Sequence, residues 1–216
     1  MKVIFCLPGK EFSGKFLVCW SELLSTCIRN GIDIMISQKY NSNVYYVRPQ
    51  CLGADVLRGP DQKPFNGKID YDYIMWIDSD QIFKPDHFFE LLSHQQDIVS
   101  GLYLMEGGKY FAAVKDWDAD YFKTNGSFKF LEHSSLPTDG KLLEVAYSGF
   151  GFMLIKRGVF ESMKYPWFEP RIISFENGVT DFASEDASFC LKARENGYKI
   201  FIDPNVIVGH EKSIVY

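Results

Sequence analysis

The sequence has no basic cluster, and no apolar run in it is long enough to cross a lipid bilayer. Lys and Arg number 23 against 28 Asp and Glu, which gives a formal net charge of −5. The absence of Lys or Arg blocks argues against nucleic-acid and polybasic membrane binding. The apolar stretch at residues 3–7 is broken by Pro8 and Gly9 and is too short for a signal peptide or a membrane span. We therefore expect a soluble, cytoplasmic protein with no nucleic-acid partner and no membrane span.

Closely spaced cysteine pairs are also missing. The cysteine count of 5 is odd, and no C-x-x-C pair occurs. Because apolar neighbours surround most of these residues, we expect buried thiols in a reducing compartment. They are Cys6, Cys19, Cys27, Cys51 and Cys190. No internal repeat stands out, so the length of 216 residues predicts one domain over 1–216, either a whole protein or one module of a longer chain.

The most informative stretch is an apolar run followed at once by acceptor-rich residues. Residues 73–77 read YIMWI, and Asp78, Ser79 and Asp80 come next. A continuous apolar run of this length is typical of a strand buried on both faces, which predicts the two carboxylates at the carboxyl end of a central parallel strand. Two carboxylates that face one spot repel unless a cation lies between them, and oxygen ligands suit Mg²⁺ or Mn²⁺. The alternative is a polar turn closed by side-chain hydrogen bonds.

The first forty residues predict a strand, a helix and a second parallel strand at residues 3–7, 16–29 and 32–37. Residues 9–15 between the first two elements fit G-x-x-x-x-G-K, the pattern of a phosphate-binding loop. Phe16 follows where that loop needs Ser or Thr, so we reject a nucleotidase of this type. The Pro8-Gly9 turn can still approach a nucleotide, since glycine allows close backbone contact.

Further along, we predict a short helix at residues 50–59, a helix that begins at Pro85 and a hairpin from 98 to 114. Arg58 either clamps a phosphate with its guanidinium fork or is an ordinary surface arginine. A flexible loop with Asn177 and Gly178 at its tip is expected at residues 167–182, as either a lid or a simple connection. Two closing strands are expected at 198–202 and 206–208, joined by a turn at residues 203–205.

Three residues near the carboxyl end could take part in chemistry. Ser184 is expected to cap a helix whose first turn carries Glu185 and Asp186. These acidic residues either only favour the helix N-terminus or act as a base on an acceptor hydroxyl. His210 follows the last strand and is a candidate third metal ligand, or simply a solvated surface histidine.

Four segments occur in a distinctive order: DSD at 78–80, SGFGFMLIKRGVF at 148–160, SEDASFCLKARENGYKIF at 184–201 and VGH at 208–210. Together they resemble a glycosyltransferase of the GT-A fold with a DxD motif. The resemblance spans nearly the whole chain and is closest to small glycosyltransferase domains encoded by large algal (chlorella) viruses. It implies a Rossmann-like α/β fold, in which helices flank a mainly parallel central sheet and a small part is antiparallel. It also implies a role in viral glycan synthesis in the host cytoplasm.

The resemblance further implies a metal-dependent hexosyltransferase that moves a sugar from a UDP-sugar to a hydroxyl of a glycan or glycoprotein acceptor. Asp80 and His210 would hold Mn²⁺ or Mg²⁺, and Asp78 would contact either this metal or the ribose. The ion would neutralise the charge of the leaving diphosphate. Asp186, together with Glu185, would face the acceptor hydroxyl, as a base in an inverting enzyme or only to position the sugar in a retaining one. The nucleotide-sugar site would comprise Leu7, Pro8, Gly9, Ser37, Gln38, Arg58, Asp78, Ser79, Asp80, Ser148 and Gly149.

Two other functions remain open from the sequence. A phosphatase of the haloacid dehalogenase type would use Asp78 as nucleophile and Asp80 as acid and base, although Gln81 and Ile82 follow where Gly-Thr is usual. A glycan-binding domain without catalysis would suit the high aromatic content of 16%. A glycan-binding domain of this kind would not explain why the sequence has both Asp80 and His210.

Overall fold

A computed structural model describes residues 1–175 and 178–212 of the chain. The α-helices of these residues are α1 (Gly14–Arg29), α2 (Val44–Cys51), α3 (Pro85–Ser93), α4 (Ala119–Asn125), α5 (Val159–Ser162) and α6 (Glu185–Glu195). The first strands are β1 (Lys2–Pro8), β2 (Asp33–Lys39), β3 (Tyr73–Ile77), β4 (Gln81–Ile82), β5 (Ile98–Leu102), β6 (Tyr110–Val114) and β7 (Phe130–Glu132). The later strands are β8 (Leu143–Val145), β9 (Tyr147–Ser148), β10 (Phe152–Lys156), β11 (Arg171–Ser174), β12 (Thr180–Ala183), β13 (Ile200–Ile207) and β14 (Gly209–His210).

Seven strands form the main sheet in the order β2-β1-β3-β10-β5-β13-β8. β1 pairs in parallel with β2 and β3, and β13 pairs in parallel with β5. β10 is antiparallel to both of its neighbours, and β8 is antiparallel to β13. Small antiparallel sheets join β11 to β12, β14 to β4, and β6 to both β7 and β9. The predicted α/β class, with a mainly parallel sheet and a small antiparallel part, is confirmed.

Alternate side chains of the strands enter two different hydrophobic cores, one on each face of the sheet. Val3 and Phe5 of β1 pack in the same core as residues of α1 and α3. Ile4 and Cys6 pack in the other core with residues of α2, α5 and α6. All five residues of β3 are buried, which is why this strand reads as an unbroken apolar run in the sequence.

The residues that imitate a phosphate-binding loop form an ordinary helix start. The Ser13 hydroxyl accepts a hydrogen bond from the Phe16 N–H at 3.1 Å and so caps α1. The Lys15 ammonium pairs with Glu211 at 3.2 Å. The segment thus leads into the capped first turn of α1.

The predicted helix at residues 50–59 was wrong. The helix in this region is α2, which begins earlier because the Asn43 side chain accepts a hydrogen bond from the Tyr45 N–H at 3.0 Å. Pro49 lies within its last turn, and the chain continues into a turn and a short 3₁₀ helix at Val56–Arg58. Tyr45 and Tyr46 in its first turn gave this segment no clear helical pattern in the sequence.

Two predictions near the carboxyl end were also wrong in part. The expected irregular loop at residues 167–182 contains the β11–β12 hairpin, and Asn177, expected at its tip, lies outside the described residues. The expected pair of closing strands is one strand, β13, in which the register shifts between Ile202 and Ile207. Asp203 and Pro204 therefore form a bulge instead of a turn. Within residues 1–175 and 178–212, no helix has the length and apolarity to cross a membrane.

Candidate active site

The DSD segment lies in a tight turn at the carboxyl edge of the sheet. The Asp78 N–H donates to the Gly151 carbonyl at 3.0 Å, and the Gln81 N–H donates to the Asp78 carbonyl at 3.1 Å. After the turn, β4 pairs with β14, and the register sets His210 opposite Gln81. This pairing brings the last short strand of the described chain to the end of β3.

Asp80 and His210 lie together at this edge. The His210 Nε2 atom lies 3.0 Å from Asp80 Oδ2, and the Lys212 ammonium lies 2.7 Å from the same oxygen. Burial of Asp80 raises its pKa, but the hydrogen bond from Lys212 and the charge of His210 outweigh burial and lower the pKa. Asp80 is therefore held as a carboxylate, with Lys212 and His210 as its partners.

The surroundings of His210 suit a divalent metal ion. Its Nδ1 atom lies 2.7 Å from the Leu104 carbonyl, which can only accept, so Nδ1 carries a proton. With a metal ion in place of its proton, Nε2 would offer a lone pair to the ion beside Asp80, and a hydrogen bond that orients the other ring nitrogen is typical of histidine ligands. One imidazole nitrogen and one carboxylate oxygen at this spacing fit Mn²⁺ or Mg²⁺.

Asp78 does not join these two ligands. Among the described residues, the side-chain atoms of Asp78, Asp80 and His210 do not form a group within 4.8 Å. Both oxygens of Asp78 contact Arg48 instead: Nη1 lies 2.6 Å from Oδ1 and Nη2 lies 3.0 Å from Oδ2. Asp78, which was also predicted as a metal ligand, is thus held by Arg48 of α2 through a bidentate guanidinium–carboxylate pair.

Arg48 is the residue that the sequence prediction missed. Its side chain is buried, and its guanidinium group lies over the rings of Trp76 and Phe150 at 5.5 and 5.2 Å from their centroids. Burial lowers the pKa of Arg48, but the charges of Asp78 and Glu185 outweigh it and raise the pKa. The local sequence carries no clear signal for this burial, since α2 also has exposed residues and an arginine in such a helix is most often solvated.

Arg58, which was predicted to clamp a phosphate, has other contacts. Its Nη1 atom donates to the Gly53 carbonyl at 2.9 Å, and its Nε atom lies 3.8 Å from Asp55. Arg58 is absent from the lining of the cavity beside the DSD turn. Arg48 is the arginine at this edge.

The two acidic residues at the start of α6 have different surroundings. Glu185 is buried and its Oε1 atom lies 3.3 Å from Arg48 Nε. Burial raises the pKa of Glu185 to about 7, the charge of Asp186 adds to the rise, and Arg48 opposes it. Ser184 precedes α6 as predicted, but its hydroxyl bonds to the Asp186 side chain and makes no capping hydrogen bond with the backbone.

Asp186 is partly exposed at the same edge. Its Oδ2 atom accepts a hydrogen bond from the Tyr147 hydroxyl at 2.8 Å, and its Oδ1 atom accepts one from the Ala187 N–H at 2.8 Å. Burial and the charge of Asp186 raise the pKa of Tyr147 well above its usual value, so this hydroxyl stays a donor. Asp186 is therefore oriented by donors and is the better placed of the two to act on a ligand.

A cavity of about 280 Å³ lies beside the DSD turn. Pro8, Gly9, Asp78, Ser79 and Asp80 contribute to its wall, so the predicted residues from two strand ends do come together. Arg48 and Tyr40 are among the residues that were not predicted there.

Gly9 is required where it lies. A Cβ atom built on it would come within 2.6 Å of the Ser79 Cβ, closer than real side chains approach. The Gln38 amide donates to the Gly9 carbonyl at 2.6 Å and holds the turn in place. Gln38 therefore does not line the cavity, but it holds Gly9, which does.

Three further predicted residues face the protein interior. Leu7 is buried, the Ser37 hydroxyl donates to the Cys51 carbonyl at 2.7 Å, and Ser148 is buried in β9. Gly149 allows Tyr103 to approach, because a Cβ atom built there would lie 2.0 Å from the Tyr103 hydroxyl. The Tyr103 ring lies against His210 with centroids 5.0 Å apart, so Gly149 affects the site through this tyrosine.

A larger cavity of about 720 Å³ adjoins the first and shares Ser42 and Val44 with it. Its wall is rich in aromatic and proline side chains, among them Tyr45, Tyr46, Tyr165 and Phe182. The Tyr45 hydroxyl donates to the Ala183 carbonyl, which precedes α6, at 2.5 Å. This contact joins the aromatic cavity to the segment that carries Asp186.

No protein-family model matches this sequence, and no curated protein matches it. Solved structures do resemble the fold. A197 from STIV is 18% identical over 100% of this chain and 97% of its own, with a TM-score of 0.55. GalNAc-T7, crystallised with UDP, GalNAc and Mn²⁺, is 13% identical over 99% of this chain and 44% of its own, with a TM-score of 0.52. The catalytic domain of Drosophila β1,4-galactosyltransferase 7, in complex with xylobiose, is 14% identical over 98% of this chain and 71% of its own, with a TM-score of 0.50.

At these identities the likeness concerns the fold alone. Two of these structures belong to glycosyltransferases, and the chain has a fold of the GT-A type. The predicted GT-A-like fold is thereby confirmed, while the glycosyltransferase activity and the link to algal viruses stay predictions. The roles of the individual site residues also stay predictions.

Proposed function

We propose that this chain is a metal-dependent glycosyltransferase that moves a sugar from a UDP-sugar to a hydroxyl of a glycan acceptor. The observation that carries the proposal is the pairing of Asp80 with His210 at 3.0 Å. It supplies a carboxylate and an imidazole beside the cavity at the carboxyl edge of a GT-A-like sheet, where α/β sheets bind their ligands. Asp186 lies at the same edge, at the first turn of α6.

The donor would bind in the 280 Å³ cavity. Mn²⁺ or Mg²⁺, held by Asp80 and His210, would supply a Lewis acid that neutralises the charge of the departing diphosphate. The Pro8-Gly9 turn would lie against the nucleoside. Asp78 keeps its place in the wall through the two hydrogen bonds from Arg48, and would face the ribose. UDP is the nucleotide in the GalNAc-T7 structure and is the first to test.

The acceptor would approach from the aromatic cavity. Tyrosine and phenylalanine faces pack well against the apolar faces of sugar rings, and this wall is joined to the start of α6 by Tyr45. Asp186 would accept the proton of the acceptor hydroxyl, or would only orient the sugar if the reaction retains configuration. Glu185 is buried against Arg48 and would position Arg48 instead of touching the acceptor.

Calorimetric titration of UDP into the protein, with Mn²⁺ and then with a chelator, tests the proposal. We expect UDP to bind with Mn²⁺ and to bind at least about tenfold more weakly without it, since metal ligation contributes several kcal/mol. GDP is the control nucleotide and should bind more weakly. If neither nucleotide binds in either condition, the proposal is wrong in its donor, and phosphate release from phosphomonoesters then tests the phosphatase alternative.

A further inference from the structure

A second group of possible metal ligands lies away from the DSD turn. It joins the end of α3 to the bulge in β13 and consists of Glu90, His94 and Asp203. One ligand atom from each residue lies within 4.8 Å of the other two. His94 Nε2 is 2.7 Å from Asp203 Oδ2 and 3.8 Å from Glu90 Oε1. None of the three residues contacts Asp80 or His210.

The local structure accounts for this convergence. Glu90 and His94 are four residues apart, one helical turn, so their side chains lie on the same face of α3. The register shift in β13 turns Asp203 toward that face, and Asn205 N–H donates to Asp203 Oδ1 at 2.8 Å. The Asp203 side chain is almost fully buried, and a buried carboxylate needs a positive partner. A protonated His94 alone would satisfy it, but would give no role to Glu90.

We propose that Glu90, His94 and Asp203 bind one zinc ion, with water as the fourth ligand. An imidazole nitrogen and two carboxylate oxygens are a known zinc ligand set, and imidazole favours Zn²⁺ over Mn²⁺ or Mg²⁺. Zinc ligands at about 2.0 Å from the ion lie about 3.3 Å from one another in a tetrahedron. The observed separations of 2.7 and 3.8 Å lie on either side of that value. The hydrogen bond from Asn205 to the second Asp203 oxygen orients this ligand.

The zinc ion would have a structural role. It would fasten the carboxyl end of α3 to β13, and β13 continues into β14, which carries His210. Glu90 is exposed and Asp203 is buried, so solvent reaches the site from the Glu90 side and can supply the water ligand. The site is independent of the proposed transfer reaction.

Zinc binding by chelator-treated protein, measured by thermal unfolding and by metal analysis after dialysis, tests this inference. All measurements are made in protein that carries Asp80→Asn, so that metal binding at the DSD turn does not add to the signal. We expect one zinc ion per chain and a higher melting temperature with ZnCl₂ than with MnCl₂. Glu90→Gln keeps the contact between His94 and Asp203 but should weaken zinc binding at least about tenfold, as loss of an oriented ligand does.

Asp86→Asn is the matched control, since it removes one negative charge from the exposed first turn of the same helix. It should leave zinc affinity unchanged. Cobalt absorption provides a second readout that does not depend on stability, and His94→Gln should abolish the bands of nitrogen-ligated Co²⁺. Absence of zinc binding, or equal affinity in the parent and in the Glu90→Gln and His94→Gln variants, would overturn the proposal and leave only an ion pair between His94 and Asp203.

Discussion

Arg48 holds Asp78 through two hydrogen bonds of 2.6 and 3.0 Å, and the same guanidinium group reaches Glu185 at 3.3 Å. This arginine thus joins α2 to the end of β3 and to the start of α6. It compensates two carboxylates at an edge that also carries Asp80 and Asp186. The guanidinium group is buried against two aromatic rings, so these contacts belong to the core of the fold.

Substitution of Arg48 by Met should destabilise the protein strongly. The variant leaves Asp78 and Glu185 without their positive partner, and breaking a buried pair in this way costs about 3–5 kcal/mol of the free energy of unfolding. Arg48→Lys keeps the charge but loses the bidentate geometry, so an intermediate loss is expected. Urea unfolding measures both. Arg58→Met is the control and should cost less than about 1 kcal/mol, because this surface pair is partly exposed. Equal losses at the two arginines would contradict the role given to Arg48.

Asp80→Asn should remove the effect of Mn²⁺ on UDP affinity. The neutral amide keeps the shape of the side chain but is a much poorer ligand for a hard cation. The ratio of UDP dissociation constants with chelator and with Mn²⁺ should fall from at least about tenfold to near one, and His210→Gln should act in the same direction. Asp61→Asn, in an exposed loop, is the control. A metal effect that persists in Asp80→Asn would show that the ion binds elsewhere.

The sequence predicted the parts of the site that depend on strand ends. The apolar run of β3 followed by Asp78 and Asp80 located the edge correctly, because burial on both faces leaves a clear pattern. For His210, the position after the last strand left two interpretations open, and only the family resemblance favoured a metal ligand beside Asp80. The contact of Asp80 with His210 depends on the pairing of β4 with β14, two very short strands that lack a periodic pattern.

The sequence did not predict Arg48, and the reason is physical. A charged residue in a helix is most often solvated, and its burial here depends on partners from distant segments at Asp78 and Glu185. The bulge at Asp203 was missed in a similar way, because Asp-Pro-Asn is a typical turn sequence and only the neighbouring β5 keeps the strand continuous across it. Side-chain networks of this kind are set by tertiary packing, which local patterns do not encode.

The carboxyl of Glu185 should make stability depend on pH between about 4.5 and 7. Burial raises its folded-state pKa from 4.5 to about 7, so the folded protein binds a proton more tightly than the unfolded chain. Its contribution is complete below pH 4.5 and is lost as the pH rises through about 7. Glu185→Gln cannot lose this proton. The free energy of unfolding of the variant, minus that of the parent, should therefore increase with pH across this window.

Glu195→Gln is the control for this measurement. The hydrogen bond from Arg171 lowers the pKa of Glu195, so its contribution is present above pH 4.5 and is lost as the pH falls through its lowered value. Its difference curve should be flat between pH 4.5 and 7. A flat curve for Glu185→Gln as well would mean that Glu185 is ionised throughout the range.

Gly149→Ala should disturb the site through Tyr103. The added methyl group would lie 2.0 Å from the Tyr103 hydroxyl, so the ring must shift, and the shift disturbs its contact with His210. Such overpacking costs about 1–3 kcal/mol. Tyr103→Phe in the same chain removes the closest atom and should restore part of that loss. Gly14→Ala, where nothing lies within 4 Å of the new methyl, should leave stability unchanged or slightly increased. Urea unfolding of Gly149→Ala, Tyr103→Phe and the double variant forms a double-mutant cycle. If Tyr103→Phe restores none of the stability lost in Gly149→Ala, the steric explanation is contradicted.

Asp186→Asn should lower turnover and leave donor binding intact. The amide keeps the hydrogen bond from Tyr147 but cannot accept a proton, and loss of a general base typically reduces the rate by about 10²–10⁴-fold. Tyr147→Phe removes only the donor that orients this carboxylate, so a smaller loss, about tenfold, is expected. The kcat of transfer should fall while the UDP affinity measured by calorimetry stays near that of the parent. Asp181→Asn, an exposed acidic residue on β12, is the control. If turnover survives in Asp186→Asn, this carboxylate only orients the sugar, and the reaction needs no base at the start of α6.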